Sequence, residues 1–162
     1  MMLKYKIVRN PEEIKDGVVL LDDKEVLYIQ NFSSIFRRYN IFDCVKDRIE
    51  SSIFTRIKYL IKVYFEVVIF NENYQSIEIP TYNFIPPILR INNESFRYKS
   101  INRKESVIYK NDEIVLRKIN PFREAFYMDY RYYTLYVKEG EDIIFLLSML
   151  LCLDFDFEEG NN

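Results

Sequence analysis

The hydrophobic pattern of this chain changes period near its end. From Ile143 to Leu153 every residue but Ser148 is apolar, with Glu141 and Asp142 just before the run and Asp154 just after it. Such a pattern predicts a helix over residues 142–154, its acidic start matched to the positive end of the helix dipole. A helix with almost no polar face has to be covered on every side, by lipid or by its own protein. At about 1.5 Å per residue the run reaches only about 16 Å, against a hydrocarbon core of about 30 Å. The expectation is therefore a buried central helix wrapped by the rest of the chain.

Before that run the period is two. Leu3, Tyr5 and Ile7 alternate with Lys4 and Lys6 over residues 3–8, and Arg9-Asn10-Pro11 breaks the pattern. Apolar segments at 18–21 and 25–30 flank Asp22-Asp23-Lys24, those at 64–70 and 74–79 flank Asn71-Glu72-Asn73, and those at 106–109 and 113–119 flank Lys110-Asn111-Asp112. Each reads as a β-hairpin about a short polar turn. Further strands are expected at 36–42, 88–91, 96–99 and 127–137, with Pro80, Pro86-Pro87 and Pro121 as stops. Short strands at hairpin spacing without a βαβ rhythm predict an antiparallel meander closed into a barrel.

Residues 46–64 carry two periods at once. Ile53, Ile57, Tyr59, Ile61 and Val63 fall on odd positions while Arg56, Lys58 and Lys62 fall on even ones, the mark of a strand. Ile49, Ile53, Ile57, Leu60 and Tyr64 also follow the four-and-three spacing of an amphipathic helix. The density of β-branched side chains favours strands with a bend between Thr55 and Lys62. The helix stays the alternative.

Composition narrows the classes. The chain has 162 residues, 49% of them hydrophobic, which suits a single domain spanning 1–162 with a sizeable core and an acidic tail at 155–162. Its 13 Phe and 14 Tyr, with Ala125 the one alanine, also favour strands. A formal charge of -2 gives no bulk drive toward nucleic acid. The two cysteines, Cys44 and Cys152, read as reduced thiols. With no apolar segment behind Met1-Met2-Leu3-Lys4 and no run long enough to span a bilayer, the expectation is a cytoplasmic protein that is not integral to the membrane.

Repeated two-stranded arms, then Tyr133-Thr134-Leu135-Tyr136-Val137, the Gly140-Glu141-Asp142 connection, the apolar helix and Asp154, together resemble the tubby-like C-terminal fold. That superfamily includes LURP-one-related proteins, phospholipid scramblases and small bacterial members. The resemblance implies an all-β fold, a closed antiparallel β-barrel enclosing a hydrophobic C-terminal α-helix. Some tubby-like domains bind phosphoinositides through basic residues, although no motif here matches closely enough to carry over a binding residue. The chain departs from the pattern in its few turn glycines and in Pro86-Pro87.

Chemistry is sparse. There is no histidine, hence no His-based triad, general base or metal ligand, and two separated cysteines give no zinc spacing. Gly17, Gly140 and Gly160 cannot build a phosphate-cradling loop. The carboxylate pairs Asp22/Asp23 and Asp112/Glu113 fit solvated turns. Asp154, at a helix C-terminus where the dipole disfavours negative charge, reads as part of a solvated acidic tail with Asp156 or as a carboxylate held by a basic partner elsewhere. The candidate binding residues are Arg37, Arg38, Arg56, Lys58 and Lys62, set among aromatics as a phosphate or lipid-headgroup site requires. Arg103-Lys104 and Arg117-Lys118 are shorter sets of the same kind, and a solvated strand face accounts for all of them equally well. The expectation is a non-enzymatic binding module without cofactor. It docks on anionic lipid headgroups or a membrane-associated partner, or alternatively acts as a protein-binding regulator or immunity-type inhibitor through a strand edge or aromatic face.

Overall fold

A computed structural model describes residues 1–9, 17–31, 38–58, 62–70, 75–80, 88–102, 104–119 and 132–154. Among these residues twelve strands and one helix follow in chain order: β1 Met2–Arg9, β2 Gly17–Leu21, β3 Lys24–Asn31, β4 Arg38–Asp43, β5 Arg48–Lys58, β6 Lys62–Ile69, β7 Gln75–Pro80, β8 Ile88–Ile91, β9 Glu94–Asn102, β10 Glu105–Lys110, β11 Glu113–Ile119, β12 Tyr132–Lys138 and α1 Ile143–Leu153. All twelve strands belong to one antiparallel sheet that forms a nearly closed barrel. Across the sheet the strands run β7, β6, β5, β4, β3, β2, β1, β12, β11, β10, β9, β8. The first strand therefore pairs with the last, Met2 opposite Lys138, and the two sheet edges are the consecutive strands β7 and β8.

The ambiguous segment is two strands. Ile53 sits opposite Val67 and is fully buried, while Arg56, an odd number of residues further on, is exposed, which is what period two requires. The helical spacing of Ile49 and Ile53 fails because Ile49 is 40% exposed at the end of the barrel. The break between Thr55 and Lys62 is a reversal, since Lys58 pairs directly with Lys62.

Few glycines are needed because three hairpins turn on Asp and Asn. Asp22-Asp23, Asn92-Asn93 and Asn111-Asp112 are two-residue loops with φ of 50° and 61°, 51° and 65°, and 48° and 67°. Positive φ at both central residues is the turn that matches the twist of the flanking strands. Asp and Asn tolerate it better than other residues that carry a side chain. Asn111 Oδ1 in addition accepts from the Ser95 amide of the neighbouring β9 at 2.8 Å. In the β4–β5 turn the side-chain bonds are local, Asp43 Oδ1 accepting from the amides of Val45 and Lys46, both at 2.8 Å.

Inside the barrel lies α1. Asp142 caps it by accepting from the amides of Ile144 and Phe145 at 2.9 and 3.2 Å, and the amide of Asp154 closes it onto the Leu150 carbonyl at 2.9 Å. All nine residues from Phe145 to Leu153 are buried, so no face of the helix meets water. They pack on the inward positions of the strands, among them Ile7, Ile41, Ile53, Ile79, Ile108, Leu116 and Leu135, all at 0% exposure. Each aliphatic side chain so enclosed contributes about 1.5–3 kcal/mol. The one polar residue of the run is satisfied. Ser148 Oγ donates to the Ile144 carbonyl at 2.7 Å, which leaves its lone pairs for the Ser51 hydroxyl on β5, also at 2.7 Å.

Candidate functional site

The predicted basic residues fall on neighbouring strands. Arg38 opens β4 in register with Phe54, Arg56 pairs with Tyr64, and Lys58 pairs with Lys62. Arg38, Arg56, Lys58 and Lys62 thus occupy equivalent pleat positions of β4, β5 and β6, alternating with the buried Tyr39, Ile53 and Phe65. Arg37 lies outside the described residues.

Arg56 shows what this face offers. Its guanidinium stands 5.4 Å from the Phe54 ring centroid and its Nε is 2.9 Å from Glu66 Oε2. Glu66 also accepts from Ser76 Oγ at 3.3 Å. With the Arg56 side chain 54% exposed, that ion pair is worth at most about 1 kcal/mol and is readily exchanged for a stronger anion. Lys58 and Lys62 are paired in the last rung of the β5–β6 ladder.

The other sequence candidates scatter. Arg117 is engaged on the outer surface with Glu105 at 3.1 Å. Arg103 lies outside the described residues. Among the tyrosines near the last strand, Tyr133 is core, Tyr136 is half-buried, and Tyr127 and Tyr130 lie outside the described residues. The carboxylate pairs are what turns make them: Asp22 and Asp23 are exposed, and so is Glu113, beside an Asp112 whose side chain is 96% exposed. The hydrogen bond from Lys138, with its charge, pulls the Glu113 carboxyl below the usual range.

Lys118 departs from the expected solvated strand face. It is 2% exposed, points into the barrel from β11, and its ammonium meets Asp154 Oδ2 at 2.5 Å. Ser106 Oγ of β10 donates to the same carboxylate at 3.1 Å, and the ammonium lies 4.8 Å from the Tyr133 ring centroid on β12. Asp154 is therefore the carboxylate held by a distant base, and β10 and β11 grip the C-terminal end of the helix through it. The signal in the sequence was the acid itself, out of place at a helix C-terminus. Nothing in the alternation of Val115, Leu116, Arg117 and Lys118 names its partner.

Among the described residues no group of three or more His, Cys, Asp or Glu side chains is placed to hold a metal ion. No described helix is long and apolar enough to cross a membrane. Neither cysteine is in a disulfide, Cys44 being exposed and Cys152 buried. What the fold and surface define is a nearly closed antiparallel barrel filled by its own helix, with its exposed chemistry on the outside. No protein-family model matches the chain, and no curated protein or solved structure matches it either.

Proposed function

We propose that the protein is a non-enzymatic docking module that engages anionic phosphate groups, in the first place lipid headgroups, through the basic face of β4, β5 and β6. The observation that carries this reading is the register that gathers Arg38, Arg56, Lys58 and Lys62 on three adjacent strands, with two lysines directly opposed. The residues joining those lysines are Tyr59, Leu60 and Ile61, an aromatic and aliphatic triplet of the sort that enters a headgroup layer between flanking cations. Near an anionic surface each Lys or Arg contributes about 1 kcal/mol, so this set is enough for reversible attachment despite the overall charge of -2. The barrel interior is taken up by α1, which turns the search for a ligand toward the surface.

Co-sedimentation with vesicles containing phosphatidylserine or a phosphoinositide tests it. Binding at low salt that weakens at moderate salt, and that falls in a Lys58→Glu, Lys62→Glu variant, is the expected result. No binding to anionic vesicles at either salt removes the lipid reading. A second reading, a protein regulator, is favoured by the two sheet edges, since β7 and β8 each pair on one side only among the described residues. A stoichiometric pull-down partner lost on introducing proline into β8 would support it.

A further inference from the structure

The end of the barrel away from the Lys58–Lys62 rung has a different character. The turns after β2, β4, β8 and β10 and the β12–α1 connection all lie there, tied together by bonds from Cys44 N to Val26 O at 3.0 Å, Asn111 N to Ser95 O at 2.8 Å and Glu139 N to Met1 O at 2.9 Å. Residues 21–25, 43–50, 91–94, 110–113 and 138–142 of this rim hold twelve Asp and Glu against five Lys and Arg. By backbone position, the opposite strand ends carry Arg9, Arg38, Lys58, Lys62 and Lys104 with Glu105. Among the described residues the strongly acidic strand ends are those of this rim.

Two further observations make the acidic end more than a solvated rim. Among the described residues, five of the seven exposed large hydrophobics are here: Met1, Met2, Val45, Ile49 and Phe70, with Val45 at 80%. Beside the N-terminus of α1 opens a cavity of about 230 Å³, floored by Phe96, Phe145 and Leu146 and walled by Glu94, Lys110 and Glu141. The wall already displays the chemistry it recognises. The Lys110 ammonium is held by Glu94 at 3.1 Å and Glu141 at 3.0 Å, 5.9 Å from the Phe96 ring centroid, and Phe96 packs edge-on against Phe145 at 4.8 Å. Carboxylates beside an aromatic floor are the setting in which an ammonium or guanidinium is bound.

We propose that this acidic mouth docks a basic, amphipathic polypeptide segment, one Lys or Arg side chain of which enters the cavity while its apolar side chains cover the exposed rim. The cavity is smaller than the roughly 300–1,000 Å³ of sites for drug-sized ligands, which suits a single long side chain. A metal ion is disfavoured because no three ligating groups converge among the described residues. An anion is disfavoured because the one cation of the wall is already bound by two carboxylates. The docking surface lies at the other end of the barrel from the proposed lipid face, so it stands or falls separately, and a protein that uses both would join a cationic segment to an anionic surface.

Fluorescence anisotropy with a labelled twelve-residue peptide of alternating arginine and leucine tests the proposal, with arginine–serine and glutamate–leucine peptides as comparisons. Expected are saturable binding of the first, at least tenfold weaker binding of the second and none of the third. Glu94→Gln with Glu141→Gln should weaken the first peptide at least tenfold, whereas Asp22→Asn with Asp23→Asn, the same loss of two charges on the rim away from the cavity, should cost less than threefold. Circular dichroism confirms that both variants are folded. Equal weakening by the two variants, or equal affinity for the serine peptide, would reduce the effect to bulk electrostatics and overturn the proposal, as would no binding at all. Self-association of the protein alone, abolished by the Glu94/Glu141 variant, would assign the mouth to a second copy and overturn it too.

Discussion

Replacing Lys118 by methionine should cost far more than a lysine on a strand ordinarily would. Both side chains of the Lys118–Asp154 pair are 2% exposed. Two unit charges 2.5 Å apart at an effective dielectric of about 20 attract by about 7 kcal/mol. Bringing both out of water costs several kcal/mol per ion, so the intact pair is close to neutral for folding. Lys118→Met removes the attraction but leaves the Asp154 carboxylate inside, and stability should fall by about 3–5 kcal/mol. Adding Asp154→Leu removes the stranded charge and should restore most of the loss, giving a double variant more stable than the single one. Urea unfolding followed by far-ultraviolet circular dichroism and by tyrosine fluorescence, the chain having no tryptophan, measures all three proteins. A Lys118→Met protein within about 1 kcal/mol of the parent, or a double variant no better than the single, would refute the buried pair.

Leu147→Asp places a charge at a position with 0% exposure in the middle of α1, and the variant should fail to fold or lose several kcal/mol by the same assay; an unchanged melting temperature would contradict a helix covered on all sides. Tyr39→Phe should stabilise by about 1 kcal/mol, because the Tyr39 hydroxyl is buried with no hydrogen-bond partner among the described residues, and destabilisation would mean that the hydroxyl is satisfied. In native-state labelling, Cys44 should react and Cys152 should not. Partial burial, and after it the charges of Glu25 and Asp43, raise the Cys44 thiol above its ordinary value, so its thiolate fraction near neutral pH is low. Its labelling rate should therefore climb with pH beyond the point at which a free thiol levels off, and Glu25→Gln should bring that point down; a plateau below the ordinary thiol range would reverse the assignment.

The architecture was readable because it rests on period and length. Eleven residues with one serine among them cannot present a polar face, and strands with Asp or Asn turns at hairpin spacing leave few alternatives to a meander. Shortage of glycine looked like a departure from the resemblance because positive φ is usually assigned to glycine; in Asp22-Asp23, Asn92-Asn93 and Asn111-Asp112 the same backbone is adopted by Asp and Asn, which tolerate it better than other residues with a side chain. Lys118 was misread because alternation sets the face of a strand but does not reveal a polar group that belongs inside. Its inward position becomes sensible only with Asp154, thirty-six positions away. The mouth cavity was illegible for a related reason: Glu94, Lys110 and Glu141 come from three separate connections, and only the sheet order brings them together.

The pairing of β1 with β12 and the filling of the barrel by α1 also order events during synthesis of the chain. Strands β1 to β11 leave the ribosome with their apolar positions facing an unfilled centre, because the helix that fills it is made after all of them. The rung between Met2 and Lys138 closes a loop of more than a hundred residues, the kind of contact that forms slowly. Until then the nascent chain displays Ile-rich hairpins with unpaired edges, which favours association with other chains. Completion of α1 is thus the step that withdraws those apolar faces from other chains.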